Sequence, residues 1–121
     1  MAWLDTVEED ELAISVITLR ERLEGVETAK RNGSPMAADL EADLEDLAAA
    51  FKGRILPVDE GAARHWARLL VPNNSNSDDK AQLAIAAANN LILVTLNWRH
   101  VEGHGIPVLN PGRKPPKLYN P

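Results

Sequence analysis

From Ala81 to Ala88 the chain is apolar at every position except Gln82. A helix that is apolar on nearly every side is a buried helix. Asn89-Asn90 follows, and asparagine tolerates the left-handed conformation that ends a helix. Then comes Leu91-Ile-Leu-Val-Thr95, an unbroken aliphatic run. Such a run predicts a fully buried strand of the kind found in parallel sheets. A buried helix leading into a buried strand belongs to a layered α/β architecture.

The rest of the chain repeats that alternation. Leu12 to Val16 reads as a short strand, with Ile14 and Val16 β-branched. Thr18-Leu19-Arg20-Glu21 is a capping-box pattern that opens a helix. Leu19, Leu23 and Val26 share one face of it, and Asn32-Gly33-Ser34-Pro35 ends it. Leu40, Leu44, Leu47 and Phe51 form the apolar stripe of a second helix, which Gly53 stops. Arg54 to Val58 is a short strand. Asp59 caps a helix that carries Ala62, Ala63, Trp66, Leu69 and Leu70. Pro72 to Ser77 is a polar loop, His104-Gly105 a turn, and Ile106 to Leu109 a last strand. The tail, residues 112–121, is basic and proline-rich and reads as extended or disordered. The expected fold is one α/β domain over residues 1–111 with a mainly parallel sheet.

Composition narrows the function classes. There is no cysteine, so disulfides and thiolate metal sites are excluded. No apolar run is long enough to span a bilayer and no basic-then-apolar leader opens the chain, so a cytoplasmic protein without membrane contact is expected. The net charge of −5 argues against strong nonspecific duplex binding. It is compatible with an enzyme that neutralises phosphate locally with metal ions, and it suits a basic partner.

Three polar residues fall where strands end or helices begin: Glu21, Asp79 and Asn97. In a parallel sheet such junctions gather at the carboxyl edge of the strands, where ligands bind. A hard cation such as Mg²⁺ takes oxygen ligands of this type, and a water on it could attack a phosphodiester. Each residue also has a plainer account. Glu21 fits equally as the reciprocal half of the capping box, and it lies roughly opposite the apolar stripe at ~100° per residue. Asp79 fits as a first-turn acid favoured by the helix dipole, Asp78 as a helix cap, and Asn97 as a turn residue. His65, His100 and His104 lack the spacing of a zinc helix.

Two blocks carry a resemblance. Ala13 to Gly25, Ala-Ile-Ser-Val-Ile-Thr-Leu-Arg-Glu-Arg-Leu-Glu-Gly, is similar to the strand-then-helix block of PIN-domain ribonucleases of the VapC/FitB toxin type. Asp79 to Asn97 resembles the later block of that family: an Asp, a small apolar helix, a strand, then Thr-x-Asn. Asn97-x-x-His100 and Gly105-Ile-Pro-Val-Leu-Asn-Pro111 continue the likeness. The resemblance implies a three-layer α/β/α PIN-like fold that binds Mg²⁺ or Mn²⁺ and cuts single-stranded RNA, under control of a VapB-like antitoxin. It implies Glu21, Asp79 and Asn97 as catalytic metal ligands, with Asp78, Asp5 and His100 as secondary candidates.

The opening departs from the family's pattern. Trp3-Leu4-Asp5 matches the end of the family's second helix rather than the Leu-Asp-Thr-Asn that ends its first strand. In that register the N-terminal strand and the first catalytic Asp are missing. A sheet without its central strand exposes edges, so self-association is expected, and metal binding is expected to be weak or lost. Val101, where the family usually has Phe, is a smaller departure. Three readings follow: a truncated or degenerate endoribonuclease toxin, a catalytically inactive PIN-like module that dimerises or binds an antitoxin, and an unrelated α/β scaffold.

Overall fold

The computed structural model describes Glu8 and residues 12–95, 98–101, 103–110 and 117–119. It divides into two compact units, Leu12–Leu56 and Met1–Glu11 with Pro57–Pro121.

The first unit is two parallel strands joined through two helices: β1 (Ile14–Ser15), α1 (Val16–Arg31), α2 (Ala37–Ala50) and β2 (Ile55–Leu56). Ile14 pairs with Ile55 and Ser15 with Leu56. The expected strand reaching Val16 is shorter than read. Ser15 stands in extended backbone and its Oγ accepts the Thr18 N–H at 3.2 Å, so Ser15 is the N-cap and α1 starts at Val16. Thr18 is therefore the third helical residue, and the Thr18–Glu21 capping box does not form. The end of α1 is as expected. Gly33 has φ +65, a left-handed value that only glycine takes without steric cost, and its N–H reaches back to the Lys30 carbonyl.

Val26 of α1 and Leu44 of α2 are buried, while Leu23 and Leu40 are 43% and 39% exposed. The two apolar stripes are thus only partly covered. Two polar contacts supplement them. Lys30 Nζ lies 2.8 Å from Glu41 Oε2, joining α1 to α2. The hydrogen bond to Glu41 holds the Lys30 ammonium above its usual pKa. Arg54 donates to the carbonyls of Leu12 and Ala50, each at 2.7 Å, and its guanidinium sits 4.9 Å from the Phe51 ring centroid. One side chain thereby ties the entry of β1 to the exit of α2.

The second unit holds α3 (Glu60–Leu70), α4 (Ser77–Ala88), β3 (Leu93–Val94), a 3₁₀ turn (Trp98–His100), β4 (Val108–Asn110) and β5 (Lys117–Tyr119). Asp59 caps α3 as expected, its Oδ1 accepting the Ala62 N–H at 2.8 Å. The helix read as apolar all round is the centre of this unit: Ala81, Leu83, Ala84, Ile85 and Ala86 are buried. Ala62 of α3 is fully buried as well. Leu83, Val101 and Val108 form a core cluster, with Leu69, Leu93 and Ile106 packed around it. Asn90 takes φ 54 and ends the turn after α4.

β3 and β4 run parallel, and β5 adds antiparallel to β4. Residues 117–119 of the basic tail are thus a paired strand. β3 differs from expectation. It was read as fully buried, yet Leu91, Ile92 and Val94 are 40%, 50% and 37% exposed. Among the described residues of this unit β3 pairs only with β4, so one long side of the strand is uncovered. Pro72 to Ser77 is not a free loop. Trp66 Nε1 donates to the Ser77 carbonyl at 3.0 Å, and the buried Lys80 ammonium donates to the Asn73 carbonyl.

Candidate functional site

Asp79 sits in the first turn of α4, whose N-cap is Asn76 at φ 54. Asn76 makes no side-chain cap bond. Asp78, read as a cap, instead follows the cap by two residues and is exposed within the first turn, because the left-handed Asn76 starts the helix earlier. Both carboxylates face the positive end of the helix dipole. They differ in what else they touch. Asp79 Oδ2 lies 3.0 Å from His100 Nδ1, with side-chain exposures of 25% and 49% respectively. An ionised carboxylate only accepts, so Nδ1 carries the hydrogen and donates it. The other ring nitrogen, Nε2, points away from this bond. His100 belongs to the 3₁₀ turn that follows β3, so the contact joins the start of α4 to the carboxyl end of a parallel strand.

Glu21 lies in the first unit, on the second turn of α1, and is exposed. It is 3.8 Å from Arg20 Nη2, and Arg20 also contacts Glu24 one turn further on. Freed from any capping role, Glu21 is a surface carboxylate beside an arginine. Asn97 and Asp5, with the Trp3-Leu4-Asp5 register, lie outside the described residues. The structure therefore brings together Asp79 and His100.

Among the described residues no three His, Asp or Glu side chains lie close enough to hold one metal ion. The donors that do meet are one partly buried carboxylate and one imidazole. Mg²⁺ keeps several waters and is held through one or two carboxylates plus substrate phosphates. Asp79 is a carboxylate of that kind, and the His100 Nδ1–H is used in bonding it. The Asp79–His100 contact itself was not foreseen. Only the short spacing Asn97-x-x-His100 pointed toward it.

The PIN domain family model matches residues 1–103. The chain belongs to the PIN-domain family. Solved structures agree. VapBC-5 from Mycobacterium tuberculosis, a member of the VapBC family of toxin–antitoxin systems, shares 31% identity over 75% of this chain and 74% of its own, with a TM-score of 0.62. FitAcB from Neisseria gonorrhoeae shares 30% over 78% of this chain and 71% of its own, at a TM-score of 0.64. A FitAB complex bound to an IR36 DNA fragment shares 25% over 81% of this chain and 71% of its own, at 0.62. No curated protein sequence matches the chain at comparable significance. The fold is the PIN-type α/β fold, and among PIN domains the chain is of the VapBC and FitAB toxin–antitoxin type. Among the described residues no helix is long and apolar enough to cross a membrane.

Proposed function

We propose that this PIN domain is a Mg²⁺- or Mn²⁺-dependent endoribonuclease of a toxin–antitoxin pair, acting on single-stranded RNA in the cytoplasm. The observation that carries the reading is the PIN match over residues 1–103 together with Asp79, whose carboxylate sits in the first turn of a buried helix at the edge of a parallel strand. When bound, the cation would supply charge neutralisation at the phosphodiester and an activated water. Asp79 would hold it, and Glu21 and Asn97 are the further ligands that the family resemblance implies. His100 orients the Asp79 carboxylate through the Nδ1–H bond, in the manner of partners that fix metal-ligand geometry. By analogy with VapBC and FitAB, the partner would be a VapB-like antitoxin, and the toxin would self-associate.

A second reading has its own support. It is a PIN-like module that binds an antitoxin without cleaving RNA, and the likeness to the VapBC and FitAB toxin–antitoxin proteins supports the antitoxin contact in it. The test is Mn²⁺-dependent cleavage of single-stranded RNA by the wild type, Asp79→Asn and Glu21→Gln. Loss of cleavage in both variants, with their melting temperatures preserved, supports the nuclease. Folded wild-type protein that neither cleaves nor binds Mn²⁺ in calorimetry overturns it and leaves the binding module.

A further inference from the structure

Away from the Asp79–His100 pair the second unit has a groove of about 430 Å³, within the range of roughly 300–1,000 Å³ usual for small-ligand pockets. Its polar walls are His65 and Arg68 of α3 and His104 of the turn before β4. Its apolar lining is Leu69, Pro72 and Ile106. Leu69 and Ile106 pack on the Leu83 core cluster, so the floor is anchored. Among the described residues none of the walls is acidic, in a chain whose net charge is −5. Asp79, His100 and Glu21 do not line it. His65, Arg68 and His104 thus line one hollow with an apolar floor.

The plainer account of Arg68 is a cation placed to complement the C-terminal end of the α3 dipole. That account says nothing of the two imidazoles or of the apolar floor. Planar imidazole and guanidinium faces are what single-stranded RNA stacks its unpaired bases on, and guanidinium is a preferred phosphate partner. The carboxylates of an acidic peptide would use Arg68 but not the imidazole planes or the floor. We propose that this groove binds one nucleotide unit of single-stranded RNA, with the phosphate on Arg68 and the base against the imidazoles and the Leu69–Ile106 floor. The proposal rests on the ribonuclease reading for its choice of RNA, and it makes the groove an accessory site that grips the strand outside the site of cleavage.

The test is fluorescence anisotropy of a labelled short oligoribonucleotide with the full chain in EDTA, where binding is read without cleavage. Arg68→Gln is expected to weaken binding about five- to tenfold and to reduce the salt slope by about 1. Adding His104→Gln weakens it further. Arg64→Gln is the charge control, because Arg64 pairs with Glu60 at 3.5 Å on the same helix and does not line the groove. It leaves binding within about twofold. In heteronuclear NMR, adenosine monophosphate shifts the ring resonances of His65 and His104. Equal losses from Arg64→Gln and Arg68→Gln overturn the proposal, as does displacement of the RNA by an acidic peptide at equal concentration, and so does absence of binding. Binding and cleavage read together separate the two readings. If the wild type binds RNA through the groove but cleaves none, the nuclease reading fails and the groove stands. If the wild type cleaves in Mn²⁺ and Arg68→Gln changes neither binding nor KM, the groove alone fails.

Discussion

The sequence suggests a Thr18–Glu21 capping box at the start of α1, and the structure assigns the cap to Ser15. The consequence is a clean separation of stability from function. Ser15→Ala removes the acceptor for the Thr18 N–H and leaves that donor in a part-buried turn. Ser15 is 8% exposed, so water does not readily replace the hydroxyl. Loss of a serine cap costs about 1 kcal/mol, toward 2 where the freed N–H stays dry. For a chain of this size, at about 3–6 °C per kcal/mol, that is a fall in Tm of roughly 3–12 °C. Glu21→Gln removes an ion pair with Arg20 at 3.8 Å, in which both side chains are about half exposed. At this distance and exposure such a pair is worth about 0.3 kcal/mol, so the Tm moves by about 1–2 °C.

The assay is urea unfolding followed by circular dichroism at 222 nm, with both variants and the double variant. Ser15→Ala shifts the midpoint and Glu21→Gln does not. The double variant is additive, because Ser15 acts on the Thr18 N–H and Glu21 on the Arg20 guanidinium. If Glu21→Gln costs as much as Ser15→Ala, or the two are strongly coupled, then Glu21 is part of the cap. Glu21 would then lose its claim to be available for a metal ion.

Three further outcomes check other parts of the structure. Leu83→Ala empties the centre of the second unit, where Leu83 is fully buried against Val101 and Val108, and should cost about 3 kcal/mol in chemical denaturation. Arg54→Met keeps the stem over Phe51 but leaves the carbonyls of Leu12 and Ala50 without this donor, so about 1–3 kcal/mol is lost and amide exchange speeds up at the start of β1. Lys30 has its pKa raised by Glu41, so its contribution to stability is complete below about pH 10.5 and disappears as pH rises through the folded-state value. Melting curves between about pH 9 and 12 should show that loss in wild type and not in Lys30→Gln.

What could be read from the chain was local. Asp59 before an apolar helix, Gly33 after one and Asn89-Asn90 at the end of another each carry their own backbone chemistry, and each acts as expected. The choice between Ser15 and Thr18 as cap is not local. It depends on where β1 stops, and β1 stops where its pairing with Ile55 and Leu56 does. The reach of Arg54 back to Leu12 is set the same way. The exposure of Leu91, Ile92 and Val94 was hidden because an aliphatic run looks identical whether a strand has neighbours on one side or two. The groove was invisible for a related reason: His65 and His104 are far apart in the chain, and only the packing of α3 beside the turn before β4 makes them neighbours.

Asp79 shows how a plain residue becomes a candidate for chemistry. Two adjacent acids open α4, and the helix dipole accounts for both of them equally. It does not account for His100, which arrives from beyond β3 and bonds Asp79. Nor does it account for the effort made to hold that turn still. The residue after Asp79 is Lys80, a buried ammonium fastened to the Asn73 carbonyl, and the residue opening the helix is fastened by Trp66. Burying a lysine head group is costly unless it is bonded, and a helix start on the surface needs no such anchor. Asp79 is therefore fixed from its own helix, from α3 and from the end of a parallel strand. A dipole acid would work as well on a frayed turn, whereas a carboxylate that must hold a cation would not.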